Sequence, residues 1–216
     1  MENEVSIRDA TEQDAPFIAW VQVEAGRSGL PLGFWDLALP GADGPRLELI
    51  AQVVTSPRTS MSHYDGFLIA EQDGEPLAAM TGYDPTQKKL GHFIAALMGV
   101  LEKNRWSEAH RQLALTRLAP VAACMSDTPN NRWVVEYVAA KPDARGKGVA
   151  GRLLDAVLER GRTLGHKSAQ ISFLIGNTPA QRCYERAGFR VVDEKRHADF
   201  EAIFGRPGTA RMWRDL

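Results

Sequence analysis

The chain has 216 residues with a hydrophobic fraction of 44%, a charged fraction of 25% and a formal net charge of -1. This apolar content excludes a disordered chain, and the balanced charge excludes an overall electrostatic attraction to nucleic acid or to an anionic membrane. The acidic start predicts no secretory signal, and the longest apolar run, 93–101, is shorter than the roughly 20 residues of a membrane-spanning helix. Length and composition therefore predict a single cytoplasmic domain over 1–216, without membrane or nucleic-acid partners.

The first half of the chain predicts strands and helices separated by one long loop. Gly and Pro residues recur from Gly26 to Pro45 and predict a loop that contains no helix. Because Leu, Phe and Trp side chains lie among them, this loop either packs on the core or binds a ligand. The other predicted elements are a strand at 5–8, a helix opening at Thr11, a helix over Arg46–Val54, and strands Phe67–Glu71 and Pro76–Tyr83 around the turn signal Asp73-Gly74.

The second half begins with a stretch of little β character, Lys88–Asn131, which we interpret as a helical insertion around 88–131. Trp133–Ala140 is apolar apart from Glu136, which predicts a central strand buried on both faces. Strand alternation places Val134, Glu136 and Val138 on one face. The remaining predicted elements are a helix over Gly148–Leu164, a strand over Lys167–Ile175, a helix capped by Asn177 or Thr178 and ending near Ala187, and strands Phe189–Val192 and Ala210–Trp213.

A glycine-rich loop, Arg145-Gly-Lys-Gly-Val-Ala-Gly151, stands between the predicted strand and the predicted helix. Glycines at such a place let successive backbone N–H groups approach one anion at a helix N-terminus, and the expected ligand is a phosphate group. The loop matches G-x-G-x-x-G literally. In a dinucleotide-binding fold, however, this motif follows the first strand, and an acidic residue comes about 20 residues later. A Walker A loop requires Ser or Thr after Lys147, where Gly148 stands.

Two motifs carry a resemblance to a third class of phosphate-binding protein. Arg145-x-x-Gly148-x-Ala150 resembles the R/Q-x-x-G-x-G/A signature of the GNAT (GCN5-related N-acetyltransferase) superfamily. Downstream, the segment from Asn177 to Phe189 is similar to that family's N-x-x-A-x-x-x-Y-x-x-x-G-F pattern. The resemblance implies an α/β domain with a central mixed, mostly antiparallel, splayed sheet flanked by helices. It covers 133–192 well, whereas the stretch 88–131 is longer than the connection usual in this family.

The resemblance also implies the chemistry, which is transfer of an acetyl group from the cosubstrate acetyl-CoA to a primary amine of a small molecule or peptide by direct attack. In this family the strand that corresponds to Val138–Ala140 pairs with the pantetheine arm of coenzyme A, and the glycine-rich loop wraps its pyrophosphate. Tyr184 would protonate the departing sulfur, and Glu136 would take the amine proton, so these two are the catalytic candidates. The cofactor-binding candidates are Val138, Ala139, Ala140, Arg145, Gly146, Lys147, Gly148, Val149, Ala150, Gly151 and Asn177.

Each of these roles has a plainer alternative. Tyr184 could be a core aromatic, and Glu136 could be a structural carboxylate paired with an Arg or facing solvent. Cys183 adjoins Tyr184 but has no His placed beside it by the motif, so we expect an inert, reduced thiol, like Cys124. The five histidines show no metal-binding spacing, and no metal site is expected. The family resemblance places 26–45 and Ala198–Gly208 beside the acceptor groove, but their aromatic residues could equally complete the core.

Two other functions stay open at this point. One is a non-catalytic CoA-binding regulatory or interaction module that uses 88–131 as its surface, and the other is a nicotinamide-dependent oxidoreductase. The sequence does not choose among polyamines, amino acids, aminoglycosides and peptide N-termini as acceptors, or between acetyl and longer acyl donors. Both a monomer and a homodimer fit the sequence.

Overall fold

The computed structural model describes residues 5–125, 128–129 and 131–216. They form a single α/β domain whose open, seven-stranded mixed sheet is flanked by helices. The strands are β1 (Ser6–Asp9), β2 (Phe67–Gln72), β3 (Glu75–Tyr83), β4 (Trp133–Ala140), β5 (Ser168–Leu174), β6 (Arg190–Arg196) and β7 (Gly208–Asp215). The helices are α1 (Ala15–Arg27), α2 (Phe34–Ala38), α3 (Asp43–Val54), α4 (Leu90–Lys103), α5 (Glu108–Arg117), α6 (Ala119–Ala123), α7 (Val149–Thr163), α8 (Thr178–Arg186) and α9 (Ala198–Phe204).

The sheet has the strand order β1-β2-β3-β4-β5-β7-β6. Every neighbouring pair is antiparallel except β4 and β5, which are parallel, so the expected mixed, mostly antiparallel sheet is confirmed. It is not the doubly wound parallel sheet that a dinucleotide-dependent oxidoreductase of the kind considered above would need.

The centre of the sheet is split. β4 pairs with β5 only from Trp133 to Val135, opposite Ala169 to Ile171. Beyond that point the two strands share no ladder, so the edge of 136–140 that faces away from β3 has no strand partner among the described residues. This split opens a cleft between the two halves of the sheet.

A β-bulge in β4 lies at the start of the split. Ala79 is opposite Ala139 and Thr81 is opposite Glu136, so β4 carries one extra residue, and Tyr137 there has a left-handed backbone with φ of 52°. The predicted alternation is wrong for this reason, since Val134 and Tyr137 pack against one face of the sheet and Val138 against the other. Burial on both faces is likewise confirmed only for 133–135, because 136–140 border the cleft.

The two faces of the sheet bury separate apolar clusters. On one face α1, α3 and α4 pack through residues such as Ile18, Ile50 and Leu97. On the other face α7 packs through Leu154 and Val157, with α8 beside it. Because α1 and α7 both pack on β4, the end of α1 and the N-terminus of α7 lie beside the cleft.

Several sequence predictions needed correction at element boundaries. The loop 26–45 contains the short helix α2, which forms because Trp35 is fully buried in the core, and α3 begins at Asp43 with Pro45 in its first turn, where proline is tolerated. The helix α9 was not predicted, and its Phe200 and Phe204 pack in a small core with Cys124, so the plainer interpretation of these aromatic residues is confirmed. The helical interpretation of 88–131 is confirmed by α4, α5 and α6, while 126, 127 and 130 lie outside the described residues. No helix in the described part of the chain is long and apolar enough to cross a membrane.

Candidate active site

A small cavity of about 130 Å³ lies where β4 and β5 separate. It brings together four of the predicted site residues, Glu136, Val138, Asn177 and Tyr184, from β4 and α8. The remaining lining residues are Glu24, Ala25 and Ser28 at the end of α1, Tyr137 of β4, Ile171, Ser172 and Phe173 of β5, and Ala180 of α8. A larger groove of about 630 Å³ between α3 and α4 contains none of the predicted site residues.

Glu136 presents a partly buried carboxylate to this cavity. Burial raises its pKa from the usual 4.5 to about 7, against the smaller, opposite effect of a hydrogen bond from the Tyr83 hydroxyl. Among the described residues no Lys or Arg pairs with Glu136, so the alternative of a structural carboxylate neutralised by an Arg finds no support. Its only described hydrogen-bond partner, Tyr83, lies buried on β3.

The bulge residue, Tyr137, packs on the face of the sheet that also buries Tyr83. Its ring stacks on Phe67 with centroids 6.1 Å apart, and its hydroxyl lies 3.3 Å from the Ser62 hydroxyl. Ser62 in turn donates to the buried side chain of Gln22 at 3.0 Å. Sequence reasoning missed Tyr83, Tyr137 and Ser62, because these residues lie in different elements and no local pattern connects them.

Tyr184 of α8 also lines the cavity. Asn177 caps this helix, since its side-chain oxygen accepts a hydrogen bond from the Ala180 N–H at 3.3 Å, and Tyr184 follows two turns later. The Tyr184 ring is 6% exposed and makes edge contacts with Phe173 and Phe189, with centroids 6.3 and 6.4 Å away. Burial raises the pKa of Tyr184, so its hydroxyl keeps the proton at neutral pH. The ring therefore belongs to the core, while the residue also lines the cavity.

The glycine-rich loop joins β4 to α7 at one side of the cleft. Gly146 and Gly148 both have left-handed backbones, with φ of 76° and 77°, and a Cβ at either position would meet no atom within 4 Å. The backbone N–H groups from Gly146 to Gly151 have no hydrogen-bond acceptor among the described residues. A run of free donors at the start of a 15-residue helix is the arrangement that binds phosphate.

The other predicted cofactor residues differ in exposure. Arg145 and Lys147 are exposed, whereas the Val149 side chain is buried in the core, so Val149 can offer a ligand only its backbone. Arg145 makes one hydrogen bond and one longer charged contact. Its Nε donates to the Ala140 carbonyl at 3.1 Å, and its guanidinium lies 3.6 Å from the carboxylate of Glu24 on α1. Ala139 and Ala140 lie on the unpaired edge of β4 described above.

The chain matches the model of the acetyltransferase (GNAT) family over residues 45–189, more than half of its length. It belongs to the GNAT family. The match contains both motifs of the cleft, the glycine-rich loop and the segment from Asn177 to Phe189. No curated protein matches this sequence.

Solved structures agree with this GNAT fold. Over 98% of its length the chain resembles a crystal structure of an acetyltransferase, with 99% of that chain covered, 21% identity and a TM-score of 0.69. It resembles an N-acetyltransferase from Staphylococcus aureus Mu50 over 97% of its length and 100% of that chain, with 16% identity and a TM-score of 0.68. A Drosophila melanogaster polyamine N-acetyltransferase that forms N-acetylagmatine is also similar, over 99% and 100% of the two chains, with 15% identity and a TM-score of 0.56.

Proposed function

We propose that this GNAT protein transfers an acetyl group from acetyl-CoA to a primary amine of a small molecule or peptide by direct attack. The observation that carries the proposal is the cleft itself. A loop of unsatisfied N–H donors lies at one side, and a carboxylate with a pKa of about 7 shares a cavity with a buried tyrosine. Family membership supports the acyltransferase class.

The residues present fit coenzyme A. The free N–H groups from Gly146 to Gly151 would hold the pyrophosphate, and Arg145 and Lys147 would neutralise its charge. The unpaired edge of β4 at Val138, Ala139 and Ala140 would take the pantetheine amides as a further strand would. When bound, acetyl-CoA supplies an activated thioester carbonyl to the cavity.

The side chains of the cavity supply the proton transfers. Glu136 is about half ionised at pH 7 and is suited to accept the proton of an incoming ammonium or amine. Tyr184, which stays protonated at neutral pH, is placed to donate a proton to the sulfur that leaves. A backbone N–H of β4 near Val138 would polarise the thioester carbonyl. Because the amine attacks the carbonyl directly, no acyl-enzyme forms, and Cys183 has no role.

The test separates an enzyme from a binding module. Isothermal calorimetry on the whole protein measures binding of CoA and of NAD, and a thiol-release assay with acetyl-CoA measures turnover over a panel of primary amines. We expect CoA to bind, NAD not to bind, and at least one amine to give free thiol and an acetylated product by mass spectrometry. CoA binding with no thiol release from any amine class would favour the non-catalytic module.

A further inference from the structure

The cavity carries more negative charge than the proposed chemistry uses. Its charged lining side chains are Glu136 and Glu24, and no Lys, Arg or His is part of the described lining. Glu136 is assigned to proton transfer, which leaves Glu24 without a function. A carboxylate in the wall of an amine-binding cavity attracts cations and repels the carboxylate of an amino-acid acceptor.

Glu24 is weakly paired for a side chain that is only 30% exposed. It lies in the last turn of α1, and its two oxygens are 3.8 Å from Arg27 and 3.6 Å from Arg145, both beyond ordinary hydrogen-bond distance. Arg27 is already engaged, since it lies 2.7 Å from both Asp36 and Asp43. No described residue donates a hydrogen bond to the Glu24 carboxylate, so its acceptor capacity is unfilled.

The second neighbour, Arg145, connects Glu24 to the glycine-rich loop. Its side chain is 57% exposed, and its guanidinium donates a hydrogen bond from only one nitrogen, to the Ala140 carbonyl. In the proposed function the same guanidinium neutralises phosphate. A phosphate group would compete with Glu24 for this cation, because each binds guanidinium in the same way. The ion pair therefore connects the cofactor side of the cleft to the acceptor side.

We infer that Glu24 selects the acceptor by binding the second cation of a small diamine or polyamine, and that Arg145 withholds Glu24 until the cofactor is bound. This inference rests on the proposed function, since it assigns the substrate class of the same site. Glu136 and Glu24 line one cavity of about 130 Å³, room for about four water molecules at roughly 30 Å³ each, so a short diamine can reach both carboxylates.

The kinetic test compares two acceptors with the same four-carbon chain, 1,4-diaminobutane and butylamine, which differ by one terminal ammonium group. For Glu24→Gln we expect kcat/KM for 1,4-diaminobutane to fall by about tenfold or more, through KM, because a charged hydrogen bond is lost. The kcat/KM for butylamine should change less than about twofold. Glu48→Gln, an exposed glutamate on α3 outside the cavity, is the matched control and should leave both unchanged.

The binding test does not depend on turnover. Calorimetry of 1,4-diaminobutane with the wild-type protein should give tighter binding in the presence of saturating CoA than in its absence. Linkage then requires the diamine to tighten CoA binding by the same factor. In Arg145→Gln the diamine should bind equally well with and without saturating CoA, because Glu24 is no longer withheld.

The outcomes distinguish the two claims. Equal losses for 1,4-diaminobutane and butylamine in Glu24→Gln, or CoA-independent diamine binding in the wild type, would overturn the assignment of Glu24 and Arg145 while the transferase proposal stands. Conversely, no acetylation of any amine, together with diamine binding that Glu24→Gln weakens, would overturn the transferase proposal and leave Glu24 as the cation site.

Discussion

Glu136 lies in a bulged strand and lines the cavity, and its carboxylate accepts a hydrogen bond from the buried Tyr83 hydroxyl. Its raised pKa comes from burial and not from a neighbouring negative charge. A carboxylate with a pKa of about 7 is a poor structural ion but a suitable general base at neutral pH. The ionisation of Glu136 should therefore affect both activity and stability.

The activity of the wild-type protein should depend on the ionisation of Glu136. A base accepts a proton only when it is ionised, so kcat/KM should rise as the pH increases through about 7. In Glu136→Gln this rise should disappear, with a loss of about 100-fold or more at pH 8. Only the titration of the acceptor amine should remain in the variant. Identical pH–rate profiles for the two proteins would remove Glu136 from the role of base.

The same substitution, which should lower activity, should raise the stability of the fold at high pH. The folded-state pKa of Glu136 lies above its usual value of 4.5, so the protonated form is favoured by folding and stability is lost as the pH rises from about 4.5 through about 7. Glutamine does not titrate. Chemical denaturation should therefore show Glu136→Gln more stable than the wild type by about 1–3 kcal/mol at pH 8, with little difference at pH 4. A gap that is independent of pH would contradict a buried, titrating Glu136.

At this scale the sequence shows an unusual residue but not its surroundings. A lone charge in an apolar strand is visible by inspection, and so is the tyrosine of the second motif. The partner of Glu136, Tyr83, is 53 positions away on another strand, and its role depends on the register of β3 against β4. That register changes at Tyr137, a non-glycine residue with a left-handed backbone that no sequence pattern announces.

The elements that form the cleft differ in how much their own sequences determine them. α7, β4 and β5 have strong patterns, and their predicted positions agree with the structure within a few residues. α2 and α9 are short, and the burial of Trp35, Phe200 and Phe204 determines them more than their local propensity does. Glycine and proline in 26–45 misled the prediction, because they stand at the ends of α2 and in the first turn of α3, where they are tolerated.

The glycine-rich loop gives a prediction at the element scale. Gly148 has φ of 77° and open space around it, so Gly148→Ala should cost stability through backbone strain alone, about 1–2 kcal/mol. The strain should also turn the N–H groups of the loop away from a common anion and weaken CoA binding by about tenfold, measured by calorimetry.

The chain offers a matched control for this substitution. Gly99 lies within the helix α4, also with open space around its Cα, but without a left-handed backbone. Gly99→Ala should therefore raise stability by about 0.5–1 kcal/mol and leave CoA binding unchanged. Equal CoA affinities for Gly148→Ala and the wild type would show that the loop does not hold the cofactor.

At the scale of the whole molecule, the site exists because the sheet splits between its two halves. β4 supplies Glu136, the proposed base, and a strand edge without a partner among the described residues, α8 supplies Tyr184, and α1 contributes Glu24 to the cavity wall. The two motifs could be placed near each other from the sequence, because they resemble a family pattern in the same order. The approach of α1 to the loop could not be predicted, since Glu24 and Arg145 are 121 positions apart and meet only through the packing of α1 on β4.

The most direct test of the cleft as the site of transfer is the turnover of Tyr184→Phe compared with Tyr137→Phe. Each substitution removes one hydroxyl from a residue that lines the same cavity, but only Tyr184 is proposed to protonate the leaving sulfur, whereas the Tyr137 hydroxyl lies 3.3 Å from that of Ser62. Steady-state thiol release at saturating substrates should fall by about 100-fold in Tyr184→Phe, with CoA affinity by calorimetry changed less than about twofold. Tyr137→Phe should keep turnover near that of the wild type, whereas undiminished turnover in Tyr184→Phe would show that Tyr184 does not protonate the leaving sulfur.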